Sequence, residues 1–427
     1  MNHSGKVDQD DIARARNVLL ASGHRTPREE VDAYRVLSQV SPAAYLPLLA
    51  RALQRLSYDT SVGRWHPSSL ALCEEAVAAA RSIDPADTAR ANVLYQALDS
   101  CQRQLYMAGR RAEGLAMRAE MLAIGRAQAE LSGDPVVKGL HEWAAGLSEE
   151  GRYAEAADAM TELVAAILPD GPASGALAWS LLEWIAALHD ADRPSEALAA
   201  FETLVSMEAA EAANDRSSMA CHLYSLIGYA QMLDTHGRGE QAALARQEAL
   251  ALLTELADPG ERKSWGGYQA SFWAVLLTFS GAESERPAPD VPRPPSGAAP
   301  IRWSPDATRR YFDSLQALRE EVDTLAARAT EDPDQHLAEL VRLHRVLTVR
   351  SAVYWENRTH LFAERVRSLF DDGVSLAGRL SQHDPADGTR TLARILIDRS
   401  TFHTAAHEFG PALDDFRQAL NCLGEVN

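Results

Sequence analysis

The sequence predicts an all-α protein, a solenoid of stacked helical hairpins. Two stretches carry the prediction. Leu140, Trp143, Leu147, Gly151, Tyr153, Ala156, Met160 and Leu163 recur at identical offsets as Leu181, Trp184, Leu188, Asp192, Pro194, Ala197, Phe201 and Leu204. Each stretch describes two antiparallel helices around a tight turn, a unit that buries its apolar face only by stacking on its neighbours. A third observation is negative: no turn-bounded run of alternating apolar and polar residues argues for a strand.

Taken in order, residues 8–40 hold two short amphipathic segments broken at Gly23 and Pro27. A DNA-reading helix-turn-helix needs a longer segment with a basic recognition helix, and this one is acidic. Residues 1–41 therefore read as a helical cap. The first repeat block, 42–281, has turns at Gly63, Gly109, Gly151, Asp192 and Gly237. Its connections carry Asp84-Pro85, Asp134-Pro135, Pro169-Asp170-Gly171-Pro172 and Asp258-Pro259, where proline ends one helix or opens the next. Within the units Leu98, Cys101 and Leu105 form one helical stripe, and Leu226, Tyr229 and Leu233 the equivalent one.

Residues 282–303 break the pattern with Pro287, Pro289, Pro292, Pro294, Pro295 and Pro300. With almost nothing apolar to bury, the stretch reads as a linker or long loop. A second block, 304–427, carries helix-opening prolines at Asp332-Pro333 and Asp384-Pro385. It closes on Phe409, Ala412, Phe416 and Ala419, the apolar face of a last helix.

Composition sets limits on function. Apolar residues make up 46% of 427, so a large core is available. A formal net charge of −18, spread over both halves, argues against nucleic acid and anionic lipid as partners. Lys6, Lys138 and Lys263 are the only lysines, a bias towards arginine that suits a GC-rich bacterial genome. Cys73, Cys101, Cys221 and Cys422 are far apart without CxxC pairing, as expected of buried thiols in a reducing compartment. Met1 to Asp11 lacks the apolar core of a signal peptide, and Ala270–Phe279 is half the length of a membrane span. A cytoplasmic protein is expected.

The residues Pro42, Tyr45, Leu46, Pro47, Leu49, Ala50, Ala52, Leu53 and Leu56 open a repeat. Gly63-Arg64 and Glu74-Glu75-Ala76-Val77 supply its turn and second helix, and Asp332-Pro333, Leu337, Leu340 and Leu343 echo the opening. In these positions the chain resembles the tetratricopeptide repeat (TPR) family, in the long-period form common in actinobacterial signalling proteins. The resemblance runs over 42–260 in good register and 305–424 in poorer register. It departs from the pattern at Arg118 and Arg246, where an aromatic is usual, and at Arg399 and Ser400. It implies a TPR-like α-solenoid and says little of function.

The sequence carries few marks of chemistry. There is no phosphate-binding GxxxxGK[ST], no GxSxG elbow and no EF-hand loop. Gly237-Arg238-Gly239 with Ala242 mimics a dinucleotide fingerprint but follows a helix, so it reads as a repeat turn. His403 and His407, with Glu408, have the spacing of a one-face metal pair without a third ligand. His141-Glu142 lacks a second histidine, since position 145 is alanine. Neither cofactor, metal nor catalytic residue is expected.

What the resemblance implies about binding is a concave groove lined by the first helix of each pair. Transferring that register selects Gln96, Asp99, Arg103 and Tyr106, then Lys138, His141 and Glu149. Trp179, His189 and Asp190 follow, then Tyr224, Gln231 and Asp234. Asp99 with Arg103, and His141 with Ala145, differ from the lysine-and-asparagine clamp of chaperone-docking members. The arginines 342, 345, 350, 358, 365 and 367 would form a solvated face, a surface for an acidic partner, or a contact with the acidic first block. The expected function is a non-enzymatic protein- or peptide-binding scaffold or adaptor in bacterial signalling or regulation. The alternatives are a sensor closing around a small molecule or signalling peptide, and an enzyme with a site between helical layers.

Overall fold

The structure, a computed structural model, describes residues 7–21, 25–61, 67–168, 175–258, 269–285, 293–355 and 362–425. It is helical throughout, with no strand among the described residues. The chain divides into two compact units, one of residues 1–146 with 304–306 and one of 147–303 with 307–427.

The first unit contains α1 (Gln9–Leu20), α2 (Pro27–Val40), α3 (Pro42–Ser61), α4 (Pro67–Arg81), α5 (Arg90–Met107) and α6 (Arg111–Ser132). Prolines open α2, α3 and α4, where the missing amide costs nothing. Thr26 and Glu29 form a reciprocal capping box at the start of α2. Each helix packs on the next, and α3 also meets α5, the stacking of a hairpin array. Val31, Leu53, Ala76, Leu98 and Cys101 belong to one buried cluster, so α2 shares the core of the repeats that follow.

The second unit contains the end of α7 (Leu140–Glu149), whose greater part belongs to the first unit, then α8 (Tyr153–Ile167), α9 (Gly175–Asp190), α10 (Pro194–Asn214), α11 (Met219–Thr235) and α12 (Gly239–Ala257). After α13 (Gln269–Gly281) come α14 (Pro305–Asp313) from residue 307 on, α15 (Leu315–Glu331), α16 (Pro333–Trp355), α17 (Phe362–His383), α18 (Pro385–Ala405) and α19 (Phe409–Leu423).

The hairpin turns share one geometry. Gly109, Gly151, Asp192, Gly237 and His407 all have positive φ, between 56° and 76°. The next amide reaches back five residues, as in Arg152 N–H to Leu147 O and Arg193 N–H to Leu188 O, both 2.9 Å. This is the Schellman closure, which satisfies carbonyls a helix end leaves open. Arg110, Arg152 and Arg193 then bond in bidentate fashion to Glu113, Glu155 and Glu196 in the first turn of the following helix. His407 thus occupies a turn position rather than the face of a metal-binding helix. Gly63, Pro169-Asp170-Gly171-Pro172 and Arg358 lie outside the described residues.

The second unit is organised around α13. Its sequence, from Phe272 to Leu277 without a polar residue, is apolar on every side, the mark of a helix surrounded by protein. It packs on α9, α11, α16 and α18. Trp273 is 1% exposed, and its indole N–H donates to Thr401 Oγ1 at 2.9 Å. Phe370 and Phe402 stack beside it, with centroids 4.5 Å apart. On another side α19 packs along α12, where Arg246 bonds Asp234 at 2.6 Å and Glu425 at 2.7 Å. The later helices therefore fold onto the earlier ones within this unit.

Arg342, Arg345 and Arg350 of the later helices make that contact, so the reading of a solvated face is corrected for these three, while Arg365 is exposed. Arg345 is 5% exposed and bonds Asp398, Ser280 and Ser284. Arg350 pairs with Glu285, Arg342 bonds Glu339 and the Ser284 carbonyl, and Arg367 pairs with Glu408. Arg365 lies 5.3 Å over the Trp355 ring. The described part of the proline-rich stretch also buries groups that a spacer would not. Ala298 is buried, Trp303 donates to its carbonyl, and Gly297 lies so close to α9 that a Cβ would sit 2.4 Å from Leu182 O.

Candidate functional site

The residues selected for a groove separate into three groups. Gln96 and Arg103 are exposed on α5, with Asp99 half-buried and bonded to Gln102 and Arg103. Lys138 holds its ammonium 3.9 Å over the Tyr95 ring, and His141 is half-buried. Asp234 is exposed but engaged by Arg246.

Three others cannot line an open surface. Tyr106, Glu149 and Tyr224 are 0%, 2% and 2% exposed. Tyr106 is held in the first unit by Arg118, 4.6 Å over its ring, and by Gly114, where any Cβ would meet the ring at 2.8 Å. Tyr224 lies on α11, a helix buried at nearly every position because α13 packs on it. Trp179, on α9, meets Phe272 of α13 edge-on at 5.6 Å. In the second unit α13 covers the face that the repeat register assigns to a groove. The signal was present in the sequence, since an apolar run too short to span a membrane must be covered by protein.

His189, Asp190 and Gln231 are brought together, and they line a cavity of about 320 Å³ with Thr235, Phe279 and Arg394. A neighbouring cavity of about 190 Å³ lies between α8, α9, α13, α14 and α16. Its apolar wall is Tyr311, Val346 and Val349. Asp190, Ala282 and Arg293 line both cavities and so mark their junction. At roughly 30 Å³ per water, each space takes several waters or a small organic molecule, and neither takes a folded helix.

Charge at this junction is arranged unequally. In the smaller cavity Arg350 and Glu285 satisfy each other through two bonds of 2.5 and 3.0 Å, and Arg350 also bonds Ser314. The Arg350 guanidinium lies 4.8 Å over the Tyr311 ring. Asp190 has no such compensation. It is the last residue of α9, where the helix dipole is negative and a carboxylate is disfavoured. Burial pushes its carboxyl up, against the opposing pull of His189 and Arg293. Among the described residues none donates a hydrogen bond to it, and Arg293, which is exposed, reaches only Tyr153 Oη at 3.4 Å. The proline-rich segment delivers Arg293, so the stretch read as a linker carries a site residue.

Elsewhere, among the described residues no group of three His, Cys, Asp or Glu is placed to hold a metal ion. His403 Nδ1 lies 2.7 Å from Glu408, which also receives Arg367, an intramolecular network. Cys73, Cys101 and Cys221 are buried thiols, with burial pushing Cys101 up to about 12. Among the described residues no helix is long and apolar enough to cross a membrane.

Comparison with known proteins adds little to this geometry. No protein-family profile and no curated protein matches the chain. Among solved structures, the crystal structure of BtubC (BKLC) from P. vanneervenii is similar, at 15% identity and a TM-score of 0.40. The match covers 60% of this chain and 97% of that one. The all-α architecture rests on the helices described above.

Proposed function

We propose that the chain is a non-enzymatic binding protein whose second unit holds a small ligand between its helices. The observation that carries this reading is the junction at Asp190 and Arg293. A carboxyl group at a helix C-terminus, without a hydrogen-bond donor, opens onto two adjoining cavities. The carboxyl is half-buried with some access to solvent, and an occupant carrying a cationic donor would complete it in a charge-assisted hydrogen bond. The reading of a TPR-like scaffold capturing a partner in a concave groove has less support in this unit, because α13 covers Trp179 and Tyr224. In the first unit Gln96 and Arg103 remain exposed and suit a protein or peptide partner.

The test is a melting-temperature screen of the full chain against a library of small metabolites, repeated on Ala282→Phe. Ala282 is half-buried at the junction, where a larger side chain fills cavity space. A compound that stabilises the wild type and not the folded variant supports the proposal. Stabilisation equal in both, or by no compound, overturns it.

A further inference from the structure

The two charges left over at the cavity junction narrow the class of ligand. Arg350 is neutralised by Glu285, and Arg310, which also lines the smaller cavity, is itself partnered. Asp190, half-buried, and Arg293, exposed at the cavity rim, remain. They attract each other electrostatically, yet no salt bridge of 4.0 Å or less joins them among the described residues. Arg293 uses one guanidinium nitrogen on Tyr153 and has donors to spare. An anion alone would satisfy Arg293 and add a second negative charge beside Asp190. A cation alone would do the reverse. A molecule with both charges a few bonds apart completes the two residues together and leaves the site neutral.

Resting on the ligand-site reading above, we propose that the occupant is a small zwitterion with an apolar body. Its ammonium group is held by Asp190 and its carboxylate by Arg293. The body lies on the wall made by Tyr311, Val346 and Val349, which is apolar except for the tyrosine oxygen. Free α-amino acids with branched or aromatic side chains have this chemistry, and so do the two ends of a dipeptide. The half-buried Asp190 carboxyl gains a cation where the α9 dipole offers none.

Titration calorimetry on the full chain tests this with L-leucine, Leu-Leu, 4-methylpentanoate (no ammonium) and 3-methylbutylamine (no carboxylate). Leucine or Leu-Leu is expected to bind, and whichever binds tighter identifies the free amino acid or the peptide as the source. The acid and the amine should bind at least about tenfold more weakly, the effect of one lost charge-assisted hydrogen bond. Asp190→Asn should lose most of the preference for leucine over the acid, and Arg293→Gln most of the preference over the amine. Equal binding of 4-methylpentanoate and leucine, or leucine binding untouched by both substitutions, overturns the proposal. So does the failure of all four compounds. If the metabolite screen nevertheless finds a stabiliser blocked by Ala282→Phe, only the ligand class falls and the site stands.

Discussion

Replacing Arg345 with methionine removes the central connection between the later helices and the end of α13. The guanidinium bonds Asp398 at 2.7 and 3.2 Å, Ser280 O and Oγ at 3.1 Å, and Ser284 Oγ at 2.8 Å. The side chains of Arg345 and Asp398 are 5% and 7% exposed, so the remaining carboxylate has little access to water. Removing one partner of such a pair costs about 3–5 kcal/mol, most of it the uncompensated buried charge. At roughly 2–4 °C per kcal/mol for a domain of this size, melting should fall by about 6–20 °C. The double variant Arg345→Met, Asp398→Leu should regain most of that loss, because replacing both charges with apolar groups of similar volume is often neutral. Thermal unfolding followed by circular dichroism on the four proteins of the cycle gives the answer. A single variant within about 1 kcal/mol of wild type, or a double variant as unstable as the single, would refute the reasoning.

Asp192 holds φ at 56°, where a side chain costs about 1–2 kcal/mol, so Asp192→Gly should stabilise by up to about 1 kcal/mol in urea unfolding. The same substitution is expected to leave the metabolite screen unchanged. Glu208, 6% exposed on α10, has its carboxyl pushed up to about 7, first by burial and then by Glu211. The folded state therefore holds a proton that the unfolded chain releases nearer 4.5. Stability from this group is greatest below about pH 4.5 and is lost as pH rises through 7. Glu208→Gln should flatten that fall and be the more stable protein at pH 8, by a few kcal/mol at about 1.4 per unit. Denaturant titrations at pH 5.5 and 8 check it, and an unchanged difference between the two proteins would count against the buried carboxyl. Gly114→Ala places a methyl 2.8 Å from the Tyr106 ring and should cost about 1–3 kcal/mol, read as a lower melting temperature.

The helices and their turns were legible because they rest on local signals. Proline at helix starts, glycine with positive φ at hairpin turns and the 41-residue copy from Leu140 to Leu181 all act within one repeat. Arg118 and Arg246, which depart from the repeat pattern, are buried donors, Arg118 to Gln102 and Glu142 nearby, and Arg246 both to Asp234 in its own hairpin and to the distant Glu425. The site was legible only in part. His189, Asp190 and Gln231 were selected by register and do line a cavity, but for a different reason from the one that selected them. Their surroundings depend on α13, on Arg293 and on Val349, which are distant in sequence and belong to no repeat. Tyr224 was misplaced by the same cause, since the register of a hairpin does not reveal what covers its inner face, whereas Tyr106 is buried against Arg118 and Gly114 of its own hairpin.

Hydrogen–deuterium exchange of the full chain, with and without a compound that raises its melting temperature, tests the central claim most directly. The account predicts slower exchange in α9, α13, α16 and residues 293–299, with α5 unchanged. Protection confined to Gln96–Arg103 of α5, with the cavity helices unaffected, would contradict it and return the function to an open groove.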